Sequence, residues 1–136
     1  MAIGVTVDSK RYEIGSSDFF NAFFSTVVMR LEGGEWGSRF PTVMNRLYMG
    51  EVAPGEVPQL QNELNAIREQ LKAFTPDLVV WDFEDPSRRP PWGASISSHI
   101  KSLSNYFWTS DGKDLFETLL TASDSAARTR ASMIVE

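Results

Sequence analysis

Hydrophobic and polar residues follow two different spacings at the start of the chain. Residues 3–7 (IGVTV) and 11–14 (RYEI) are rich in β-branched and aromatic side chains and flank a polar turn, a pattern typical of a β-hairpin. The next segment carries apolar residues at steps of one, three and four, which predicts a core helix capped by Ser16 or Ser17. Its apolar stripe consists of Phe19, Phe20, Phe23, Phe24, Val27, Val28 and Leu31.

The middle of the chain predicts two more helices. A short one covers about residues 41–49, with proline at its start and Gly50 after its end. A longer one covers residues 58–74, where apolar residues recur at alternating steps of four and three. We expect its apolar face to lie on a sheet. The alternative is a second subunit, because the same seam could form a short coiled coil.

The second half of the chain predicts strands around another helix. Residues 78–83 (LVVWDF) are apolar on both faces, which indicates a central strand, and residues 105–108 predict a further strand after one helical turn. Ser110 or Asp111 is expected to cap a helix with Leu115, Phe116, Leu119 and Leu120 on its buried face. The final ASMIVE favours a last strand over a frayed tail. These elements indicate an α+β fold, a mostly antiparallel sheet of about four to five strands covered by about four helices.

Length and composition limit the class of protein. A chain of 136 residues fits one domain, residues 1–136. The N-terminus lacks the pattern of a secretory signal, and no run of about 18 apolar residues occurs, so we expect a cytoplasmic protein with no membrane partner. No cysteine and a single histidine leave almost no material for disulfides or for thiolate and imidazole metal sites. We therefore expect no metal and no cofactor.

Net charge argues against nucleic acid as a ligand. The formal charge is −5, whereas nucleic-acid binding relies on lysine and arginine neutralising phosphates. An acidic protein is drawn to basic surfaces, although modest negative charge also serves solubility alone. Both interpretations remain open from the charge.

One segment concentrates candidate chemistry: WDFEDPSRRPPWG, residues 81–93. If the strand continues, Asp82 and Glu84 point to the same side roughly 7 Å apart, a spacing compatible with glycoside hydrolysis or a hard cation. Asp85 adds a third carboxylate, but Arg88 and Arg89 can pair with these acids and leave no catalytic role. A loop held by its own ion pairs, or a rim that binds a partner, is therefore favoured over catalysis.

Two tryptophans and one serine are further candidates. Trp92 follows two prolines that stiffen the loop, and Trp36 lies between glycines; each is expected either to contact a partner or to pack on the core edge. Ser95 in GASIS stands where a nucleophile elbow would place its serine, but the second glycine is missing. We expect no serine hydrolase, and more generally no enzyme.

Several long strings resemble the bacterial immunity protein 70 family: YEIGSSDFFNAFFSTV, WGSRFP with MNRLYMG, VVWDFEDPSRRPPWG and LSNYFWTSDGKDLF. The resemblance covers about residues 4–120, and the tail from Ser123 onward is not part of it. It implies a cytoplasmic protein that binds a cognate polymorphic toxin domain and neutralises it by occlusion. An acidic inhibitor would suit a basic toxin such as a nuclease.

The family resemblance assigns no binding residues, so the interface is predicted from this chain alone. The predicted partner-binding residues are Trp36, Asp82, Glu84, Asp85, Arg88, Arg89 and Trp92. The alternatives are a small carboxylate-dependent enzyme, which requires a deep cleft with converging acids, and a housekeeping homodimer that uses the apolar face of residues 60–74. The sequence leaves monomer and homodimer open.

Overall fold

The computed structural model describes residues 2–93 and 96–136. Within these residues the chain forms an antiparallel sheet with the strand order β2-β1-β4-β3. Its strands are β1 (Ala2–Val7), β2 (Lys10–Ser16), β3 (Glu51–Val52) and β4 (Met133–Val135). Val5 of β1 pairs with Tyr12 of β2 and with Val135 of β4, so β1 lies inside the sheet. The predicted hairpin and the predicted last strand are confirmed.

The described residues also form three α-helices and four shorter helical segments. The α-helices there are α1 (Ser17–Arg30), α2 (Val57–Leu71) and α3 (Leu115–Thr129). Shorter elements are a π-helical segment at Thr42–Leu47 and 3₁₀ turns at Pro54–Glu56, Pro76–Leu78 and Leu103–Asn105. The predicted α+β fold is confirmed. Among these helices, none is long and apolar enough to cross a lipid bilayer.

Helix α1 supplies the aromatic centre of the core. The predicted cap is confirmed, since the Ser16 hydroxyl accepts a hydrogen bond of 3.1 Å from the Phe19 N–H. Phe23 is fully buried and meets Phe107 and Phe116 edge-on, at ring-centroid distances of 5.6 and 5.5 Å. Burying a side chain of this kind contributes about 1.5–3 kcal/mol. The stripe of phenylalanines therefore joins α1 to α3 and to the segment before it.

The apolar face of α2 is buried within the same chain. Leu60, Leu64, Ile67 and Leu71 have no exposed surface. The helix packs mainly against α3, the π-helical segment and the turn at Leu103–Asn105, so the expectation that it lies directly on the sheet is wrong. This face is also unavailable to a second subunit, which removes the coiled-coil interpretation.

The predicted central strand at residues 78–83 is wrong. Pro76–Leu78 is a 3₁₀ turn, and the chain after it runs along α1 instead of entering the sheet. The Thr26 hydroxyl of α1 accepts a hydrogen bond of 3.1 Å from Val80 N–H and donates one of 3.2 Å to Val80 C=O. Since side chains meet these backbone groups, Val80 and Trp81 are buried without a neighbouring strand.

One further predicted strand is wrong, and one observed strand was not predicted. Residues 105–108 do not form a strand, because Leu103–Asn105 is a 3₁₀ turn and Trp108 makes only an isolated bridge to Asp114. The pattern also missed β3, whose two residues, Glu51 and Val52, are too short to show an alternation.

Helix α3 begins later than its predicted caps. Gly112 has a φ of 79° and closes a turn through a 2.9 Å hydrogen bond from its N–H to Thr109 C=O. The helix therefore starts only at Leu115, and the Asp114 carboxylate accepts a 3.2 Å hydrogen bond from the Glu117 N–H. Asp114, rather than Ser110 or Asp111, is the N-cap.

Candidate functional site

Helix α1 fixes the start of residues 81–93, called the 81–93 loop below. The two hydrogen bonds between Thr26 and Val80 precede it, and the Ser25 hydroxyl accepts a third, of 3.0 Å, from Phe83 N–H. Trp81 is buried against the core with 4% of its surface exposed. The loop thus starts from a rigid, buried base formed by consecutive hydroxyl residues of one helix.

Asp82 organises the acidic half of the loop. Its carboxylate accepts hydrogen bonds of 3.0 Å each from the Glu84 N–H and from the Arg88 guanidinium. These two donors hold the pKa of the Asp82 carboxyl below its usual range. Its backbone C=O also accepts a 3.1 Å hydrogen bond from Asp85 N–H, so residues 82–85 form a turn. The expected placement of Asp82 and Glu84 on one side of a strand is therefore wrong.

The remaining charges of the loop point outward. Asp85 closes a second turn by accepting hydrogen bonds from the Ser87 N–H at 3.2 Å and, through its C=O, from the Arg88 N–H at 3.0 Å. Glu84 and Arg89 are exposed and form no ion pair within residues 2–93 and 96–136. The loop therefore presents an acidic start and a basic end, with Asp82 and Arg88 neutralising each other between them.

Trp92 both packs on the core and remains accessible. Its ring meets Trp81 edge-on at 5.2 Å, and its indole N–H donates a 2.8 Å hydrogen bond to the Tyr106 hydroxyl. Burial raises the pKa of the Tyr106 phenol, so this hydroxyl stays neutral at physiological pH. With 39% of its surface exposed, Trp92 is held in one orientation while it keeps a free face.

Trp36 is folded over the core edge. Its indole N–H donates a 2.8 Å hydrogen bond to Met44 C=O in the π-helical segment, which overlaps the short helix predicted at residues 41–49. Its ring lies 4.7 Å from that of Tyr48 and 5.0 Å from that of Phe83. Trp36 is half-buried. Its ring contact with Phe83 connects it to the 81–93 loop.

Two buried carboxylates shape the segment that carries Trp36. Glu32 accepts backbone hydrogen bonds of 2.9 to 3.0 Å from residues 37, 39 and 40. Glu63 of α2 accepts them from Thr42 at 3.2 Å and from Val43 at 2.8 Å. Buried carboxylates are stable only when hydrogen bonds replace water, as these do. Both carboxylates hold the backbone of residues 37–43 in place, which is a structural role.

The structure brings the predicted site residues together only in part. Asp82, Asp85 and Arg88 form one hydrogen-bonded unit, Trp92 joins it through Trp81, and Trp36 joins it through Phe83. The sequence did not single out Tyr106 or Trp108, because residues 105–108 suggested a strand. The serine considered at position 95 lies outside the described residues.

Carboxylates from separate elements converge elsewhere, in a cleft of about 430 Å³ beside β2 and α3. Each already has a partner: Glu13 pairs with Arg11 at 2.9 Å and Glu117 with Arg68 at 2.9 Å. Asp111 pairs with Lys113 at 3.8 Å, and Asp114 caps α3.

Burial raises the pKa of the Asp114 carboxyl, against the lowering effect of its hydrogen bond from Glu117 N–H. Among the described residues, no three His, Cys, Asp or Glu side chains are grouped to hold a metal ion. Capping and ion pairing account for this cleft.

Comparison with known proteins gives one finding. The family model described as Immunity protein 70 matches residues 5–135, which extends the resemblance through the C-terminal tail. No curated protein matches the chain. No solved structure matches it either. Because the match covers nearly the whole chain, including the 81–93 loop, the chain belongs to the Immunity protein 70 family.

Proposed function

We propose that this protein binds a cognate bacterial toxin domain in the cytoplasm and neutralises it by covering the toxin's working surface. The family match over residues 5–135 carries the proposal, since it assigns the chain to the immunity proteins. Binding rather than catalysis also suits the 81–93 loop, where Asp82 is engaged with Arg88 and Asp85 is engaged with Ser87.

The 81–93 loop is the proposed centre of the interface. Its residues 84–89 and 91–93 are exposed. Its base is nevertheless fixed by Ser25 and Thr26, and the turn that follows is fixed by Asp82. A loop ordered before binding loses little conformational entropy on docking, so more of its contact energy appears as affinity. Trp92 supplies an aromatic anchor of the type that dominates protein interfaces.

The net charge of the whole protein acts at long range, whereas the charges of the 81–93 loop act at the contact. The net charge of −5 draws the protein toward a basic toxin. The loop itself carries three carboxylates and two arginines, so its own charge is only −1 (two minus three). Glu84 and Asp85 at one end and Arg89 at the other would therefore orient the toxin more than attract it.

Co-expression with the toxin domain encoded next to this chain tests the proposed function. We expect cells to survive only when both proteins are made, and the two to elute together in size-exclusion chromatography. If both proteins fold but neither a complex nor survival is seen, the assigned partner is wrong.

Charge reversal tests the placement of the loop. Glu84→Lys with Asp85→Lys is expected to slow association and to change its salt dependence, because a charge pair at the contact is reversed. Glu69→Lys with Glu51→Lys makes the same change in net charge on exposed residues outside the loop. Equal association rates for the two folded double variants would place the interface elsewhere.

A further inference from the structure

A groove with exposed aromatic walls lies beside the 81–93 loop. It has a volume of about 270 Å³ and is lined mainly by apolar side chains: Phe19, Trp92, Ile96, Ile100, Tyr106 and Trp108. Three of these, Trp92, Ile96 and Trp108, are among the most exposed large apolar residues described, at 39, 37 and 46%. Exposed aromatic surface gathered in one concave place is typical of a binding site.

The walls of this groove are fixed before any partner arrives. The Trp108 indole N–H donates a 2.8 Å hydrogen bond to Asn105 C=O, as the Trp92 indole does to the Tyr106 hydroxyl. Tyr106 in turn packs edge-on against Phe107 of the core at 5.1 Å. Both indoles have thus used their polar N–H internally, and they offer ring surface to the group that fills the groove.

A basic margin adjoins the groove. A second cleft, of about 380 Å³, shares Ile96 and Tyr106 with the groove. Its charged lining residues are Arg88, Arg89 and a single acid, Asp77. Arg88 pairs with Asp82 at 3.0 Å, whereas Arg89 has no ion pair among the residues that the structure describes. A ligand that fills the aromatic groove therefore meets an available guanidinium next to it.

We propose that this groove is where the toxin is anchored, and that it receives a bulky apolar side chain of the toxin with a carboxylate nearby that pairs with Arg89. The inference rests on the proposed function, because it takes the toxin as the occupant. An arginine margin and an apolar pocket together select an acidic, apolar segment over a basic one.

Net charge argues against a second copy of this chain as the occupant. Each copy carries a formal charge of −5, and a net charge of one sign keeps copies of a protein apart. A toxin of opposite net charge has no such conflict.

Dissociation constants measured with the purified toxin domain test the proposal. Trp108→Ala is expected to weaken binding by at least about 30-fold, mostly through faster dissociation, as truncation of a central aromatic anchor does. Arg89→Glu is expected to weaken binding more than Arg89→Ala, because it also repels the toxin carboxylate.

Matched controls separate the groove from general effects. Met49→Ala removes an apolar residue that is 77% exposed in a different groove, and Arg128→Glu reverses an exposed positive charge on α3. Both are expected to change the dissociation constant by less than about 3-fold, within the range of surface substitutions. Circular dichroism and the urea midpoint confirm that each variant is folded, and Trp108→Phe, which keeps an aromatic ring, is expected to bind better than Trp108→Ala.

Three outcomes would overturn the inference in different ways. If the wild-type protein binds and Trp108→Ala binds equally well, the groove is not the anchor while the proposed function stands. If the wild-type protein neither binds nor rescues, the proposed function and the occupant fail together. If Trp108→Ala converts a wild-type dimer into a monomer in light scattering without affecting the toxin, a second copy occupies the groove.

Discussion

Thr26 is predicted to hold the base of the 81–93 loop by a single hydroxyl group. Thr26→Val keeps the shape of the side chain but removes the atom that both donates to Val80 C=O and accepts from Val80 N–H. Thr26 is fully buried and Val80 is 7% exposed, so water cannot easily replace the lost partner. The substitution therefore isolates the hydrogen bonds from the packing.

The expected loss follows from leaving two backbone groups without partners. Each buried, unsatisfied polar group costs about 1–3 kcal/mol, and partial relaxation of the loop suggests about 2–4 kcal/mol in total. This is a large share of the roughly 5–15 kcal/mol that stabilises a domain. Thr26→Ser keeps the hydroxyl and loses one methyl group, which should cost only about 1 kcal/mol.

Urea unfolding at neutral pH measures both variants. We expect Thr26→Val to lower the unfolding midpoint with an unchanged dependence on urea, and to lower it clearly more than Thr26→Ser does. If Thr26→Val costs no more than Thr26→Ser, the hydroxyl does not hold residues 80–83, and our reason for the absence of a strand there is wrong.

Three other substitutions test separate parts of the account. Glu63→Gln should destabilise by about 1–3 kcal/mol in urea unfolding, because an amide N–H₂ replaces one of the oxygens that accept from Thr42 and Val43; no loss would show that the carboxylate is dispensable. Gly4→Ala should lower the unfolding midpoint, since the new Cβ would lie 2.9 Å from the Arg11 guanidinium and from Tyr12 C=O; a neutral effect would mean that β1 and β2 shift freely. The Asp82 pKa is lowered by folding, so the stability it contributes is present above the unfolded value of about 3.9 and is lost as pH falls through the folded value. The stability difference between the wild-type protein and Asp82→Asn should therefore be largest near neutral pH and shrink in acid, and a difference that grows in acid would reverse the assigned sign.

Most of the fold was predictable because its elements are long and locally determined. The hairpin, α1 and α2 have clear periodicity, and Ser16 is a cap in both sequence and structure. The predictions that were wrong concern segments whose structure depends on side chains far away in the sequence. Residues 78–83 have the composition of a central strand, but Thr26, 54 positions earlier, satisfies their backbone instead.

The candidate site was less predictable for the same reason. Composition identified the 81–93 loop, but not that Asp82 is used internally by Glu84 and Arg88. Tyr106 and Trp108 were not singled out, since the position of buried Tyr106 and exposed Trp108 beside Trp92 results from tertiary packing rather than local spacing. The sequence gives the number of charged residues in the loop, but which of them pair with each other can be seen only in the folded structure.

Titration of the toxin's own activity with this protein tests the central claim most directly. If the chain neutralises its toxin by covering it, activity should fall in proportion to the protein added and vanish near one equivalent, and Trp108→Ala should require a large excess. A stable complex in which the toxin keeps full activity would contradict neutralisation by occlusion.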